Sequence, residues 1–321
     1  TIITPSITNK NILNQLFWEF IFFPRLLKLQ KIDVLFNLSA GTLARYKCSV
    51  TMSRNMLSYE KGELQRYGFS LASLRLIVLR YVQNFSLRNS TGVIFLTNYA
   101  SEVIQKSAGK INNLINIPHG VSDNFKNKKF RIKESFENSI KIIYVSNVAP
   151  YKHQWHVVSA IKKLINKGFN IKLYLVGGVD KISKYKLLKS IDSFDKNREF
   201  VYQYPFVDQK KIPLMIASSD IFVFASSCEN MPNTLIEGMS IGIPIVSSNK
   251  GPMPEVLGDA GLYFDPENPA EIANSIEKLI NSYELRKFFS KRLKEKSAKY
   301  SWNKCANKTF NYLSNIAKNK T

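Results

Sequence analysis

Within this chain of 321 residues, the segment Glu229-Asn-Met-Pro-Asn-Thr-Leu-Ile-Glu237 has the residue types and spacing best suited to chemistry. It follows an apolar run, Ile221-Phe-Val-Phe-Ala225, and leads into a helical stretch that Gly242-Ile-Pro244 stops. Asn230 is a candidate helix cap, and Pro232 is tolerated in a first turn. The amides of Asn233, Thr234 and Leu235 would then point out of a helix N-terminus. Together with the positive end of the helix dipole they suit a diphosphate. Glu237 is the only charged residue between Asn230 and Asn249, set among Leu235, Ile236, Met239 and Ile241. A carboxylate in such company is costly unless donors reach it, and the two hydroxyls of a ribose are suitable donors. Glu229, just before the helix, is placed to hold sugar hydroxyls. The plainer alternative makes Glu237 a helix residue facing solvent or paired with a distant lysine.

Three further loops follow apolar runs. Tyr144-Val-Ser-Asn-Val-Ala-Pro-Tyr-Lys152-His153 offers Lys152, whose ammonium can reach phosphates and neutralise charge on a departing group. Taken alone, Lys152 would be a solvated surface lysine; its place opposite the helix start favours the phosphate role. His153 and His156 read as helix-surface or satisfied polar residues. Val176-Gly177-Gly178 permits close approach by a ligand, or makes a plain turn. Tyr204-Pro-Phe206-Val207 offers Phe206 to flank a base. In the first half, Ser53-Arg54-Asn55-Met56 follows a strand: Arg54 suits an acceptor phosphate and Asn55 a sugar hydroxyl, or the four form a structural turn.

Short apolar runs alternating with longer helical stretches must position these loops. Expected strands are Asp33–Asn37, Ser49–Ser53, Gly92–Thr97 and Leu114–Pro118, then Lys141–Ser146, Ile171–Val176, Glu199–Tyr202, Ile221–Ala225 and Ile245–Ser247. Helices are expected over Leu16–Leu29, Tyr59–Leu87 (broken near Gly68) and Asn98–Ala108, and the lysine-rich passage Asp123–Asn138 reads as a linker. Runs apolar on both faces belong to parallel strands covered by helices. Repeated strand–helix units imply doubly wound sheets, whose ligands sit beyond the carboxyl ends of the strands. The expectation is an α/β protein of two Rossmann-like domains facing each other across a cleft.

Residues 140–303 resemble the C-terminal domain of the retaining glycosyltransferases of family 4, which have the GT-B fold. The resemblance rests on Lys152, the Gly177-Gly178 turn, and Glu229 with Glu237 across a seven-residue gap. Gly242-Ile-Pro244, Gly251-Pro-Met-Pro-Glu255, Gly258-Asp-Ala-Gly-Leu-Tyr-Phe-Asp-Pro266 and Tyr300-Ser-Trp302 complete it. It implies Glu237 on ribose, Glu229 on the transferred sugar and Lys152 on the diphosphate, with Lys152 and Glu229 as the catalytic pair. Asn147, Gly177, Phe206, Asn233, Thr234, Leu235 and Glu237 would bind the donor, and Arg54 and Asn55 would face the acceptor. It also implies transfer with retention, no cofactor and no essential metal, in keeping with the lack of an Asp-x-Asp motif. Many members carry an arginine where this chain has Asn147, so catalysis would lean harder on Lys152 and the helix dipole. The implied domains are 1–138 (acceptor side, lacking the opening strand and glycine loop), 139–301 (nucleotide-sugar side) and a returning helix over 302–321.

Composition limits the rivals. Apolar residues make up 45% and charged residues 22%, an ordinary globular balance. The 46 Lys+Arg against 24 Asp+Glu give a net charge of +22. Compositional drift, an anionic membrane surface and nucleic acid compete to explain it; no nucleic-acid-binding module is visible, so nucleic acid is not expected. Cys48, Cys228 and Cys305 form neither a disulfide framework nor a zinc site. No apolar span of about 18 residues exists, and no signal peptide is visible after Thr1. The expected partners are a UDP- or GDP-sugar donor, a glycan or polyprenyl-diphosphate-linked acceptor and a peripheral anionic membrane surface. The implied setting is bacterial surface polysaccharide synthesis at the cytoplasmic face, where the aromatic cluster Phe17–Phe23 would lie on the bilayer or pack in the core. A non-catalytic nucleotide-sugar-binding subunit, or a relative performing epimerisation or phosphorolysis, stays open.

Overall fold

The computed structural model describes residues 12–319; the chain start at Thr1, like the outer ends of the domain ranges above, lies outside the described residues. The described residues form two compact units, one from residues 12–118 with 303–319, the other from residues 119–302.

The first unit holds four parallel strands in the order β1-β2-β3-β4: Leu35–Asn37, Ser49–Met52, Gly92–Phe95 and Leu114–Asn116. Val50, Val93, Ile94 and Phe95 are fully buried, as strands covered on both faces require. Helix α1 (Ile12–Leu29) divides its aromatics: Phe23 packs with Leu27, Leu35 and Ala44, whereas Phe17 and Phe20 are half exposed. The helix expected over Tyr59–Leu87 is split. A 3-10 turn over Leu64–Tyr67 ends at Gly68, whose φ of 58° is left-handed, and α2 (Leu71–Arg88) begins afresh. Ser70 caps it, its hydroxyl oxygen accepting from the Ser73 amide at 3.3 Å. Helix α3 (Asn98–Ala108) follows β3. The last helix, α12 (Trp302–Lys318), joins this unit through Tyr312, whose hydroxyl lies 2.9 Å from Asn113 Oδ1. Gly92 makes room for that ring: a Cβ there would sit 2.5 Å from the Tyr312 oxygen.

The second unit is a six-stranded parallel sheet, ordered β10-β9-β8-β5-β6-β7. Its strands are β5 (Ile140–Val145), β6 (Ile171–Val176), β7 (Val201–Tyr204), β8 (Ile221–Phe224), β9 (Ile245–Ser248) and β10 (Leu262–Phe264). The last of these is an addition to the expected set. Helices α5 (Gln154–Asn166), α6 (Lys181–Phe194), α7 (Ile212–Ala217), α8 (Asn233–Ile241) and α9 (Met253–Leu257) connect them, and α10 (Pro269–Asn281) and α11 (Tyr283–Ser297) follow β10. Chain order runs outward from β5 to β6 and β7 on one side, and through β8, β9 and β10 on the other. The switch point therefore lies between β5 and β8, where the carboxyl ends of an open parallel sheet leave a crevice.

The passage expected to be a linker belongs to this second unit, so the boundary falls at 118/119 and not at 138/139. It forms the short helix α4 (Asp123–Lys126), with Phe125 buried. Arg286, buried on α11, donates to the carbonyls of Lys133 at 3.0 Å and Glu134 at 2.9 Å. Lys133 also pairs with Asp220 at 2.7 Å. Lysine-rich composition suggested solvation; the carbonyl clamp is a backbone interaction that side-chain composition does not reveal. Among the described residues no helix is long and apolar enough to cross a membrane.

Candidate functional site

The loop after β5 and the loop after β8 are tied together before any side chain reaches outward. Tyr144, buried at the end of β5, donates its hydroxyl hydrogen to the Lys152 carbonyl at 2.7 Å. The Ser227 amide donates to the Tyr151 carbonyl at 2.8 Å, and His153 Nε2 lies 2.9 Å from Ser227 Oγ. His153 takes a left-handed φ of 54° as the chain turns from a 3-10 turn over Pro150–Lys152 into α5. It is fully buried, and His156 Nδ1 lies 2.9 Å from the Pro266 carbonyl. Both histidines are structural polar groups.

This frame delivers Lys152 to Glu229. The ammonium is ion-paired with Glu229 Oε1, the two side chains being only 12% and 16% exposed. The Tyr151 and Phe224 rings lie 5.2 Å and 5.6 Å from the same nitrogen. Tyr144 packs edge-on to Phe224 at 6.2 Å, and burial, with the nearby Glu229 carboxylate, holds its phenol well above the usual tyrosine range. It therefore stays a neutral donor to the Lys152 loop.

A cavity of about 460 Å³ opens over the pair. Asn147, Lys152, Gly177, Phe206, Glu229, Asn233 and Thr234 all line it, as do Ile212 and Met231. Asn147 accepts from the Gly178 amide through Oδ1 at 3.1 Å, which leaves its NH₂ end to donate. Gly177 has a φ of 142°, and a Cβ there would lie 2.4 Å from the Ser146 carbonyl oxygen. The glycine thus lets β6 close against the β5 loop. Phe206 is 90% exposed at the rim, and Lys152 and Glu229 are the only charged residues in the lining.

Three sequence-predicted features differ in placement. Helix α8 starts at Asn233 with Pro232 at its cap position, so Asn230 does not cap it. The turn is closed by backbone, the Asn233 amide donating to the Met231 carbonyl at 2.9 Å. Leu235 is fully buried outside the lining, and its amide donates to the Pro232 carbonyl at 3.0 Å. Glu237 lies one helical turn beyond Asn233, half-buried and also outside the lining. Among the described residues no ion pair or side-chain hydrogen bond reaches its carboxylate, and burial pushes it up to about 7. Arg54 and Asn55 sit after β2 in the first unit. Arg54 is exposed, and Asn55 Oδ1 accepts from the Leu57 amide at 2.9 Å, the local bond of a turn.

Two positioning residues were not foreseen. His119 Nδ1 lies 3.1 Å from Asn233 Oδ1 and, facing an acceptor, donates to it; the ring also packs on Trp302 at 5.2 Å. Tyr144 is the other, and a tyrosine within Ile142-Ile-Tyr-Val145 was a visible signal: a buried hydroxyl needs a partner. Among the described residues no group of three or more His, Cys, Asp or Glu could hold a metal ion.

Two parallel α/β sheets, with a cavity at the switch point of the second, define a protein of the GT-B class. Solved structures bear this out as a likeness of fold. Sucrose-phosphate synthase from Thermosynechococcus elongatus superposes with a TM-score of 0.78 at 15% identity, covering 96% of this chain and 79% of that one. Anabaena HepE, in complex with UDP and glucose, gives 0.70 at 17% identity, covering 91% and 80%. Residues 125–296 match the family Glycosyl transferases group 1, more than half of the chain, and the chain belongs to that family. It is similar to the O-antigen chain mannosyltransferase B of Escherichia coli, 32% identical over 106 residues, which are 33% of this chain and 28% of that protein. The matched stretches of three curated relatives span 28%, 49% and 60% of their lengths.

Proposed function

We propose that this protein transfers a hexose from a nucleotide-diphospho-sugar to a glycan or lipid-linked acceptor in bacterial surface polysaccharide synthesis. Transfer proceeds with retention, on the cytoplasmic face of an anionic membrane, and uses no metal. The observation that carries the proposal is the Lys152–Glu229 pair facing a cavity that the start of α8 bounds through Asn233 and Thr234. A diphosphate entering there competes with Glu229 for the ammonium and frees the carboxylate to accept from sugar hydroxyls. Lys152, the Asn147 NH₂ and the α8 N-terminus then face the phosphoryl oxygens, and Phe206 at the rim flanks the base. As the bond from the anomeric carbon to the phosphate oxygen breaks, its electron pair stays on the diphosphate, opposite Lys152. The acceptor hydroxyl oxygen bonds to the same carbon on the same face, and its proton passes to the departing diphosphate oxygen. Glu237 takes the ribose hydroxyls where the nucleoside extends along α8 beyond Thr234. The UDP and glucose named with Anabaena HepE favour uridine as the first base to try.

Thermal shift against UDP- and GDP-sugars tests the donor, and one of the two series should raise the melting temperature. Lys152→Ala should lower transfer by on the order of a hundredfold to a thousandfold, with near-normal circular dichroism. Turnover close to wild type would remove Lys152 from the chemistry. Binding of the nucleotide-sugar without any turnover, in the protein with its acceptor supplied, would favour the non-catalytic binding subunit.

A further inference from the structure

Helix α2 is inside out. Its buried residues are Ser73, Leu76, Gln83, Asn84, Ser86 and Leu87, four of the six polar. Gln83 and Asn84 are bonded inward: Ser58 Oγ donates to Gln83 Oε1 at 2.8 Å, the Tyr59 hydroxyl donates to Asn84 Oδ1 at 3.0 Å, and Asn84 Nδ2 donates to Ser107 Oγ at 3.0 Å. The outward face carries Leu71, Leu74, Val78 and Tyr81, which are 85%, 57%, 51% and 70% exposed, with Phe69 fully exposed just before the cap. Those positions form one stripe at three- and four-residue steps, the pattern that normally faces a core. Here the inward side is already filled by Leu76, Leu87 and the bonded amides of Gln83 and Asn84, so the apolar stripe requires a partner outside the unit.

Charge says which partner. Helix α2 has three arginines and no acid. Between Lys61 and Ser101 the sequence holds one carboxylate, Glu63, which is 2% exposed and paired to Arg66 at 2.8 Å. Exposed Arg75 borders the stripe, and exposed Lys61 lies on the approach to it. An apolar strip edged by cations alone matches an anionic bilayer surface, where acyl chains cover the strip and lipid phosphates meet the cations. Tyr81 adds a ring with a polar tip, suited to the headgroup boundary. A second copy of the chain would bring arginine against arginine.

We propose that the outward face of α2 docks on an anionic lipid surface, with Leu71, Leu74 and Val78 at the acyl boundary and Arg75 at the level of the lipid phosphates. This rests on the membrane surface in the proposed function and gives it a place, on α2 in preference to α1. Vesicle flotation of the full chain tests it, comparing phosphatidylglycerol–phosphatidylethanolamine vesicles with pure phosphatidylcholine. The wild type should float with the anionic vesicles at low salt and detach as salt rises. Leu74→Asp with Val78→Asp should reduce partitioning by on the order of a hundredfold, whereas Phe20→Asp on α1 should leave it unchanged. A Val78→Trp variant, which keeps the stripe apolar, should have its added fluorescence quenched by brominated lipid. If the wild type floats and the α2 pair changes nothing, the docking face is elsewhere and the membrane surface survives. If the wild type fails to float, both fall. A concentration-dependent dimer that the α2 pair dissolves would instead assign the stripe to a second copy.

Discussion

Helices α8 and α2 both depart from the ordinary amphipathic pattern, in opposite ways. Leu235, Ile236, Met239 and Ile241 on α8 are fully buried, and the departure is one carboxylate, Glu237, left without a partner. Helix α2 buries Gln83, Asn84, Ser73 and Ser86 beside Leu76 and Leu87, and leaves Leu71, Leu74, Val78 and Tyr81 outside. In each case the misplaced group costs free energy in the isolated protein and would be relieved by something that arrives from outside. For a lone carboxylate that is a donor such as a hydroxyl; for a bare apolar stripe it is an apolar surface. The comparison separates two tasks that hydropathy alone would merge, recognition of a small polar ligand and attachment to an extended surface.

The largest effect should come from placing the same charge on equivalent apolar positions of the two helices. Leu235→Asp puts an unpaired carboxylate into the core of the second unit and should cost about 4 kcal/mol or more. Leu74→Asp on α2 should stay within about 0.5 kcal/mol, because the site is already in water. Urea unfolding of both variants, followed by circular dichroism, measures the difference. Equal destabilisation would mean that the α2 stripe is covered in solution, and the contrast between the helices would be lost.

Both sheets were legible from sequence because runs such as Ile221–Phe224 are apolar on both faces, and most strand ends fell within two residues of expectation. Strand β10 was not, since Leu262-Tyr-Phe264 is three residues long and too short for periodicity to speak. The residues that line the cavity were largely legible, since each follows a strand. Their direct ion pair was not: Lys152 and Glu229 are 77 positions apart, and the sequence assigned one to the diphosphate and the other to the sugar. The absence of a cap at Asn230 was equally hidden, because the Met231–Asn233 turn closes on backbone atoms. Helix α2 shows a further limit. Periodicity gives the stripe Leu71, Leu74, Val78 and Tyr81, but nothing in a period states which side faces inward. The clue available was on the other face, where Gln83 and Asn84 are a poor surface for solvent contact only once their partners are known.

A smaller effect should appear at Glu237, and its sign depends on pH. The folded carboxyl titrates at about 7, against an ordinary value of 4.5. As pH rises, the unfolded chain releases this proton first, so the folded state is penalised progressively between those values. The penalty is absent below 4.5, complete above 7, and about 3 kcal/mol in size. Glu237→Gln should therefore stabilise the protein by about 2 kcal/mol at pH 8, since an amide recovers only part of the penalty, and should change little at pH 4. Ribose hydroxyls donating to the carboxylate would favour its charged form, so wild-type affinity for UDP should weaken as pH falls through 7. The glutamine variant should bind less tightly with a flatter profile. A wild-type profile as flat as the variant's would detach Glu237 from the nucleotide and leave its burial without a ligand to explain it.

The smallest effect concerns the inward face of α2. Gln83 accepts from Ser58 at 2.8 Å and is 3% exposed, in a position where an ordinary helix would carry methionine or leucine. Gln83→Met keeps the length of the side chain, removes the acceptor, and leaves the Ser58 hydroxyl to find another. The lost hydrogen bond and the stranded hydroxyl cost about 1 to 2 kcal/mol, while the buried thioether returns part of that. The net loss should be about 1 kcal/mol, read as a lower urea midpoint at unchanged slope. A clear gain in stability would show that the polar lining is not needed to hold α2. The helix would then be free to turn its leucines inward, and the exposed stripe would owe nothing to a polar interior.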